Sequence, residues 1–265
     1  MRFQFYQPSK ILQPYIQGYL EGDNMNGSTG GQHTLFPNGY SGIFFNFGNL
    51  GKLILKDKFT IHPISIYGQI DHHFTAIHTP GFYSLGVLLK PTVLSKFLRV
   101  DMSEFTNKTY DGMLFRHDLK MLHEKIQASP SIKQKIELLE GYFIAALMVL
   151  PQRTIADHAL YLLHQQETIS IEKLADDMSI SQRYLEINFK SAVGLSPKTY
   201  SLIMRFKRME HQLKKISAAR WHQLNFAGAY HDQNHFIKDF KRFTGYTPSN
   251  YLLENLEMGR SYLVR

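Results

Sequence analysis

The feature that most constrains this chain is a block that repeats itself 51 residues later. Phe189-Lys190, Gly194, Ser196-Pro197 and Tyr200 are echoed by Phe240-Lys241, Gly245, Thr247-Pro248 and Tyr251 at identical spacing. Upstream, Ser181-Gln182 aligns with Asp232-Gln233 and Leu185 with Phe236. A polar cap, apolar positions four apart, a glycine and then Ser/Thr-Pro describe the start and end of one helix and the start of the next. A chain carrying this pattern twice builds one helical unit twice, which suits a partner whose own surface repeats.

Charge is concentrated in the same place. From Arg183 to Arg242 there are twelve Lys/Arg against four acids (Glu186, Glu210, Asp232, Asp239), a local +8 that equals the formal charge of the whole 265-residue chain. Such a footprint matches a phosphate backbone, so duplex DNA is the expected partner. Taken alone, the charge is equally well read as a solvated basic face. Cysteine is absent, which excludes disulfides, zinc-thiolate sites and thiol nucleophiles and suits a reducing compartment. No apolar run of signal-peptide or membrane-spanning length is present, so the expected location is the cytoplasm and no membrane partner is expected.

The period of the apolar residues divides the chain. Short aromatic and β-branched runs (Ser41 to Phe47, Lys52 to Leu55, Ile64 to Tyr67, Tyr83 to Leu89) separated by Gly, Pro and Asn predict a small antiparallel sheet or barrel up to about residue 115. The stretch from Gly22 to Gly31 reads as a mobile loop and not a phosphate cradle. From about Asp118 to Leu150 the spacing turns helical: Leu119, Leu122 and Ile126, a break at Ser129-Pro130-Ser131, then Ile132, Ile136, Leu139, Phe143 and Leu147. These stripes cover either the sheet or a second subunit. The expected fold class is α+β multidomain: a β-rich regulatory domain over 1–150 ending in a helical hairpin, a hinge at Pro151-Gln152-Arg153, and an all-helical domain over 151–265.

In the first unit Ser170 caps a short helix with Ile171, Leu174, Ala175 and Met178 on one face, Ser179-Ile180 turns, and Ser181 caps a second helix burying Leu185 and Phe189. Two short helices and a tight turn form a helix-turn-helix, whose second helix fits the major groove. Its outer face carries Gln182, Arg183, Glu186 and Lys190. Ser196-Pro197 starts a longer helix through Lys214, with Tyr200, Ile203 and Phe206 inward. In the second unit Trp221, Leu224 and the run to Ala229 form the support helix, Asp232 caps the partner, Phe236 and Phe240 face inward, and Gln233, Asn234 and Lys238 face outward. The expected base-facing residues are therefore Gln182, Arg183, Glu186, Gln233, Asn234 and Lys238; Lys190, Lys241 and Arg242 are expected on phosphate.

Residues 155 to 255 resemble the AraC/XylS-type DNA-binding domain, most specifically from Tyr230 to Pro248, with its Asp cap, paired Phe residues, Gly and Thr-Pro. The resemblance implies two helix-turn-helix units joined by one long helix, entering successive major-groove segments on one face of promoter or operator DNA. The chain departs from the family pattern at Ala229, where the turn glycine usually stands, and at Glu186, a base-facing acid that either accepts from cytosine or pairs with Arg183 or Lys190. Residues 33–47 and 82–91 resemble, more weakly, the β-rich sensor domain of some such regulators, which implies small-molecule effector binding or homodimerisation.

The competing reading is an enzyme: a cupin-like barrel holding a metal through His33, His62, His72, His73 or His78, with a DNA-binding tail. No His-x-His spacing supports it, and Asp71-His72-His73 reads better as a turn. Neither a metal, a cofactor nor a catalytic residue is expected.

Overall fold

A computed structural model describes residues 2–50, 52–54, 58–150, 153–166, 169–215, 221–224, 230 and 232–253. Ten strands form two antiparallel sheets among these residues: β1 (Arg2–Tyr6), β2 (Ile16–Asp23), β3 (Gly31–Leu35), β4 (Ser41–Gly48), β5 (Lys52–Ile54), β6 (Lys58–Thr60), β7 (Ile64–Tyr67), β8 (Phe74–His78), β9 (Phe82–Leu89) and β10 (Thr109–Asp111). One sheet has the order β1-β2-β9-β4-β7-β10 and the other β3-β8-β5-β6. The strand content is higher than the aromatic runs predict. β1, β2, β6, β8 and β10 carry polar residues at alternate positions and β3 carries Gln32, His33 and Thr34 in a row, which hides them from a search for continuous apolar runs. The expected loop between Gly22 and Gly31 is shorter than read, since its ends belong to β2 and β3, and the buried Asn24 amide pins it to the Thr29 and Thr79 carbonyls at 3.2 and 2.9 Å.

Strand β9 is buried along its whole length because its two faces serve two compartments. Side chains alternate across a strand. Tyr83, Leu85, Val87 and Leu89 face a core shared with Ile43, Phe45 and Phe47 of β4, while Phe82, Ser84 and Leu88 face a cavity between the two sheets. Register places Gly86 opposite Phe44, whose ring fills the space where a Cβ would stand, 2.3 Å away.

Three helices close the outer face: α1 (Val93–Leu98), α2 (Asp118–Ala128) and α3 (Ile132–Leu147). α2 and α3 bury Leu119, Leu122, Ile126, Leu139, Phe143 and Leu147 in that same core, so the hairpin's stripes cover the sheet. α1 was not legible in the sequence. Six further helices follow: α4 (Ile155–Gln165), α5 (Ile171–Asp177), α6 (Gln182–Val193), α7 (Pro197–Leu213), α8 (Gln233–Thr244) and α9 (Pro248–Leu253). α7 is their common spine. Its Tyr200 and Met204 pack with Leu185 and Phe189 on α6, whereas Ile203, Phe206, Met209 and Leu213 pack with Phe236, Phe240 and Phe243 on α8. Each fully buried Leu or Phe contributes about 1.5–3 kcal/mol, so two cores sharing one rod hold both units in a fixed relation.

Candidate nucleic-acid interface

The first unit is assembled by local chemistry. Ser170 Oγ accepts from Lys173 N at 3.1 Å and starts α5; Ser181 Oγ accepts from Tyr184 N at 3.2 Å and starts α6. The turn between them runs through Ser179 at φ +54°, with Ile180 N donating to Ala175 O at 3.1 Å. Leu185 and Phe189 are fully buried against Leu174 and Ala175, so α6 turns Gln182, Arg183, Glu186 and Lys190 to solvent. Gln182 Nε2 donates to Glu186 Oε1 at 2.7 Å, a pairing the sequence reading did not weigh. Ile187 stands between Arg183 and Lys190 on the same face, 56% exposed, and Tyr184 is 50% exposed. An exposed apolar side chain flanked by cations suits a thymine methyl. Sequence reasoning passed over Ile187 because an isoleucine at helical spacing is ordinarily assigned to a core.

The second unit repeats this construction. Asp232 Oδ1 accepts from His235 N at 2.7 Å and starts α8; Phe236, Phe240 and Phe243 are fully buried. Asn234, Lys238, Lys241 and Arg242 are exposed and Gln233 is half-buried. The C-terminal caps match as well: Gly194 (φ +94°) donates its N–H to Lys190 O and Gly245 (φ +79°) to Lys241 O, each at 2.8 Å. Only glycine holds this left-handed conformation without strain. Trp221–Gln223 forms a short 3₁₀ turn, with Trp221 Nε1 donating to Ser249 Oγ at 2.7 Å. The rest of the expected support helix through Ala229, and with it the question of that turn, lies outside the described residues.

Several of these cations are engaged within the protein, Arg205, Lys207 and Lys214 among them. Arg205 on α7 donates to Asp239 Oδ2 on α8 at 3.1 Å and lies 4.3 Å from the Tyr230 ring centroid. Lys214 pairs with the buried Glu210 carboxylate at 2.8 Å, which also accepts from Tyr251 OH at 2.6 Å. Lys207 turns toward the N-terminal half, donating to Asn38 O at 2.8 Å and sitting 4.5 Å from the Tyr40 ring centroid. Burial pushes its ammonium pKa down to about 8, against a smaller opposing effect from Glu210. The outward charge is therefore smaller than the count along the sequence suggests.

The N-terminal half touches both recognition-helix caps. Thr106 Oγ1 donates to Gly194 O, and a Cβ at Gly194 would stand 2.9 Å from Met102 O. His73 is hydrogen-bonded to the Arg242 backbone, and its Nε2 lies 2.7 Å from where a Gly245 Cβ would be. At α4, Asp157 accepts from Thr92 Oγ1 at 2.5 Å and pairs with Lys96 Nζ at 2.6 Å while completing a capping box with Thr154. The histidines of the competing reading disperse: His62 lies 3.9 Å from Asp111, His72 pairs with Asp71 at 2.7 Å, His73 meets α8 and His78 lines the inter-sheet cavity. The His33 side chain lies outside the described residues. Among the described residues no three His, Asp or Glu converge as metal ligands, and no helix is long and apolar enough to cross a membrane.

Comparison with known proteins agrees with this construction. A family described as "Helix-turn-helix domain" matches residues 174–254, and one described as "Domain of unknown function (DUF6597)" matches residues 4–111. The HTH-type transcriptional activator RhaS of Escherichia fergusonii is 32% identical over 85 residues, 32% of this chain and 30% of that protein. The F1 operon positive regulatory protein of Yersinia pestis is 30% identical over 105 residues, 39% of this chain and 35% of that protein. The bifunctional transcriptional activator/DNA repair enzyme Ada of Escherichia coli is 26% identical over 114 residues, 39% of this chain and 32% of that protein. The chain thus spans about a third of the length of these curated relatives. Among solved structures, ToxT from Vibrio cholerae, bound to (E)-4-(8-methylnaphthalen-1-yl)but-3-enoic acid, has a TM-score of 0.49 at 12% identity over 96% of this chain and 99% of that one. Residues 174–254, the two capped units on their shared spine, thus match the helix-turn-helix family and are similar to the corresponding part of transcriptional activators such as RhaS, and a DUF6597 match precedes them over residues 4–111.

Proposed function

We propose that the protein is a sequence-specific, duplex-DNA-binding transcription regulator and not an enzyme. The observation that carries the proposal is the pair of identically capped helices, α6 and α8, packed on one α7 with polar and cationic side chains turned outward. α7 rises about 25 Å over its length, a rigid spacer suited to helices reading major-groove segments about one turn of B-DNA apart. Arg183 and Lys238 pair with guanine edges, and Asn234 and Gln233 with adenine. Gln182 and Glu186 act as a pair whose mutual hydrogen bond opens for a base contact. Lys190, Lys241 and Arg242 hold phosphate.

Residues 1–150 are the regulatory domain of this reading and 151–265 the DNA-reading one. The site for a small-molecule effector is the cavity between the two sheets, about 160 Å³, walled mainly by apolar side chains such as Leu20, Phe44 and Phe74. Phe206 and Glu210 of α7 complete its lining, so a molecule placed there touches the spine of both units.

Binding to a labelled fragment from upstream of the protein's own gene, followed by fluorescence anisotropy across a salt series, tests the proposal. Arg183→Ala and Asn234→Ala each weaken specific binding by about 1–3 kcal/mol and relax one base position, whereas Lys241→Ala weakens all sequences alike and lowers the salt slope by about one. Absence of binding to any duplex, or binding indifferent to salt, rejects it.

A further inference from the structure

A second cleft, about 670 Å³, shares Tyr40 with the lining of the inter-sheet cavity and joins the two halves of the chain. That volume is ordinary for a small-molecule site. One wall comes from the N-terminal half, with Tyr15, Lys90 and Lys96; the other comes from α4, α7 and the residue before the α4 cap, with Arg153, His164 and Tyr200. Among the described residues the one carboxylate lining it, Asp157, is already committed to Lys96, Thr92 and Thr154. Lys90 is half-buried and Arg153 exposed, and neither has a carboxylate partner among the described residues.

Lys90 and Arg153 line one cleft whose carboxylate among the described residues, Asp157, is already held by Lys96, Thr92 and Thr154, an arrangement that stabilises nothing by itself. Taking an ammonium partly out of water is unfavourable unless an opposite charge meets it. Burial lowers the Lys90 pKa, and His164 is lowered first by burial and then by Arg208, Lys207 and Lys90, so cations act on this side of the cleft. Tyrosine faces at Tyr15, Tyr40 and Tyr200 supply apolar wall around the charge.

We infer that this cleft binds a small organic oxyanion, carrying a phosphate or carboxylate held between Lys90 and Arg153 and a ring or chain laid against the tyrosines. The two cations belong to opposite halves of the chain, so the anion ties them together. The half it grips through Arg153 begins α4, whose Ala156, Ala159, Leu160 and Leu163 form the core of the first helix-turn-helix. Occupancy thus bears on the orientation of α6. The site is separate from the inter-sheet cavity, and it stands whether or not that cavity takes an effector.

The test uses the full chain without DNA, so its failure is distinct from failure of the duplex-binding reading. Inorganic phosphate and citrate are titrated against sodium chloride of equal ionic strength, with thermal unfolding and calorimetry as readouts. The wild type is expected to show a saturable rise in Tm, retained in the double variant Lys241→Ala/Arg242→Ala, whose DNA face is depleted of cations. Lys90→Gln is expected to weaken binding at least fivefold while leaving the unliganded Tm equal to or above that of the wild type. Arg153→Gln, at an exposed position, provides the same reading should Lys90→Gln fold poorly. A tighter response to phosphate marks a phosphate ester as the natural class, and a tighter response to citrate a polycarboxylate. Equal affinity in wild type, Lys90→Gln and Arg153→Gln overturns the inference, as does a response lost only in the DNA-face variant.

Discussion

The same chemical change, glycine to alanine, is expected to act with opposite sign at two positions. Gly194 closes α6 at φ +94°. An L-residue there costs about 1–2 kcal/mol in backbone strain. The added Cβ would also lie 2.9 Å from Met102 O and 3.2 Å from Thr106 Oγ1, closer than such contacts tolerate. Relieving it moves the turn that carries Thr106 and weakens its bond to the Gly194 carbonyl, adding about 1 kcal/mol. Gly194→Ala is therefore expected to destabilise by about 2–3 kcal/mol. Gly141 sits within α3 on an exposed face, and a Cβ there meets no atom within 4 Å. Alanine at such a helix position stabilises by about 0.5–1 kcal/mol. Urea denaturation of the two variants beside the wild type measures the difference directly. For a chain of this size Gly194→Ala lowers Tm by about 4–12 °C and Gly141→Ala raises it by a few degrees. The reasoning fails if Gly194→Ala melts with the wild type, or if the two variants shift in the same direction.

Other expectations follow from the caps and the charges between the two halves. Asp232→Ala loses the α8 cap and about 0.5–2 kcal/mol of stability, while Asp232→Ser, which keeps an acceptor, loses less; equal losses in chemical denaturation would show that capping is not the cause. Burial acts to raise the Asp157 pKa, but hydrogen bonds from Lys96, Thr92 and Thr154 outweigh it and hold the carboxyl below its usual 3.8. Its stabilising contribution is thus complete above that value and lost as pH falls through the lower folded one, so the advantage of wild type over Asp157→Asn shrinks in acid melts below about pH 4. For Lys207 the sign reverses: folding disfavours the charged form, so stability is penalised below pH 8 and recovers as pH rises from about 8 toward 10.5. Stability of the wild type relative to Lys207→Met should climb across that window, and a flat difference would remove the buried ammonium from the account.

The helical half was legible because its determinants are local. A Ser or Asp cap, a glycine three residues before Pro and two phenylalanines four apart each act within one or two turns, and the structure places Ser181, Asp232, Gly194, Gly245, Phe236 and Phe240 where spacing put them. Alternating strands such as β8 are hard to read, since Phe74, Ala76 and His78 form its buried face and Phe74 is the one large apolar side chain among them. What no local rule reveals is contact across great sequence distance. Lys207 meets Asn38 over 169 positions, so a residue counted with the phosphate-facing cations belongs to the junction between the halves. The Gln182–Glu186 bond is the opposite case, a one-turn pair open to inspection but overlooked in favour of ionic partners.

Both recognition helices end in a glycine, and both ends are covered by the N-terminal half: Thr106 on the Gly194 carbonyl and His73 against Gly245. Side chains seated on bare backbone leave no room for a different neighbour to make the same fit by chance. The DNA-reading half is consequently a poor interchangeable cassette. Fused to an unrelated sensor it would present two empty seats, and two helix ends without their lateral support. Exchange of parts between genes of this type should therefore succeed chiefly where the donor also brings its own equivalents of Thr106 and His73, which makes the junction, as much as the outer faces of α6 and α8, a unit of inheritance.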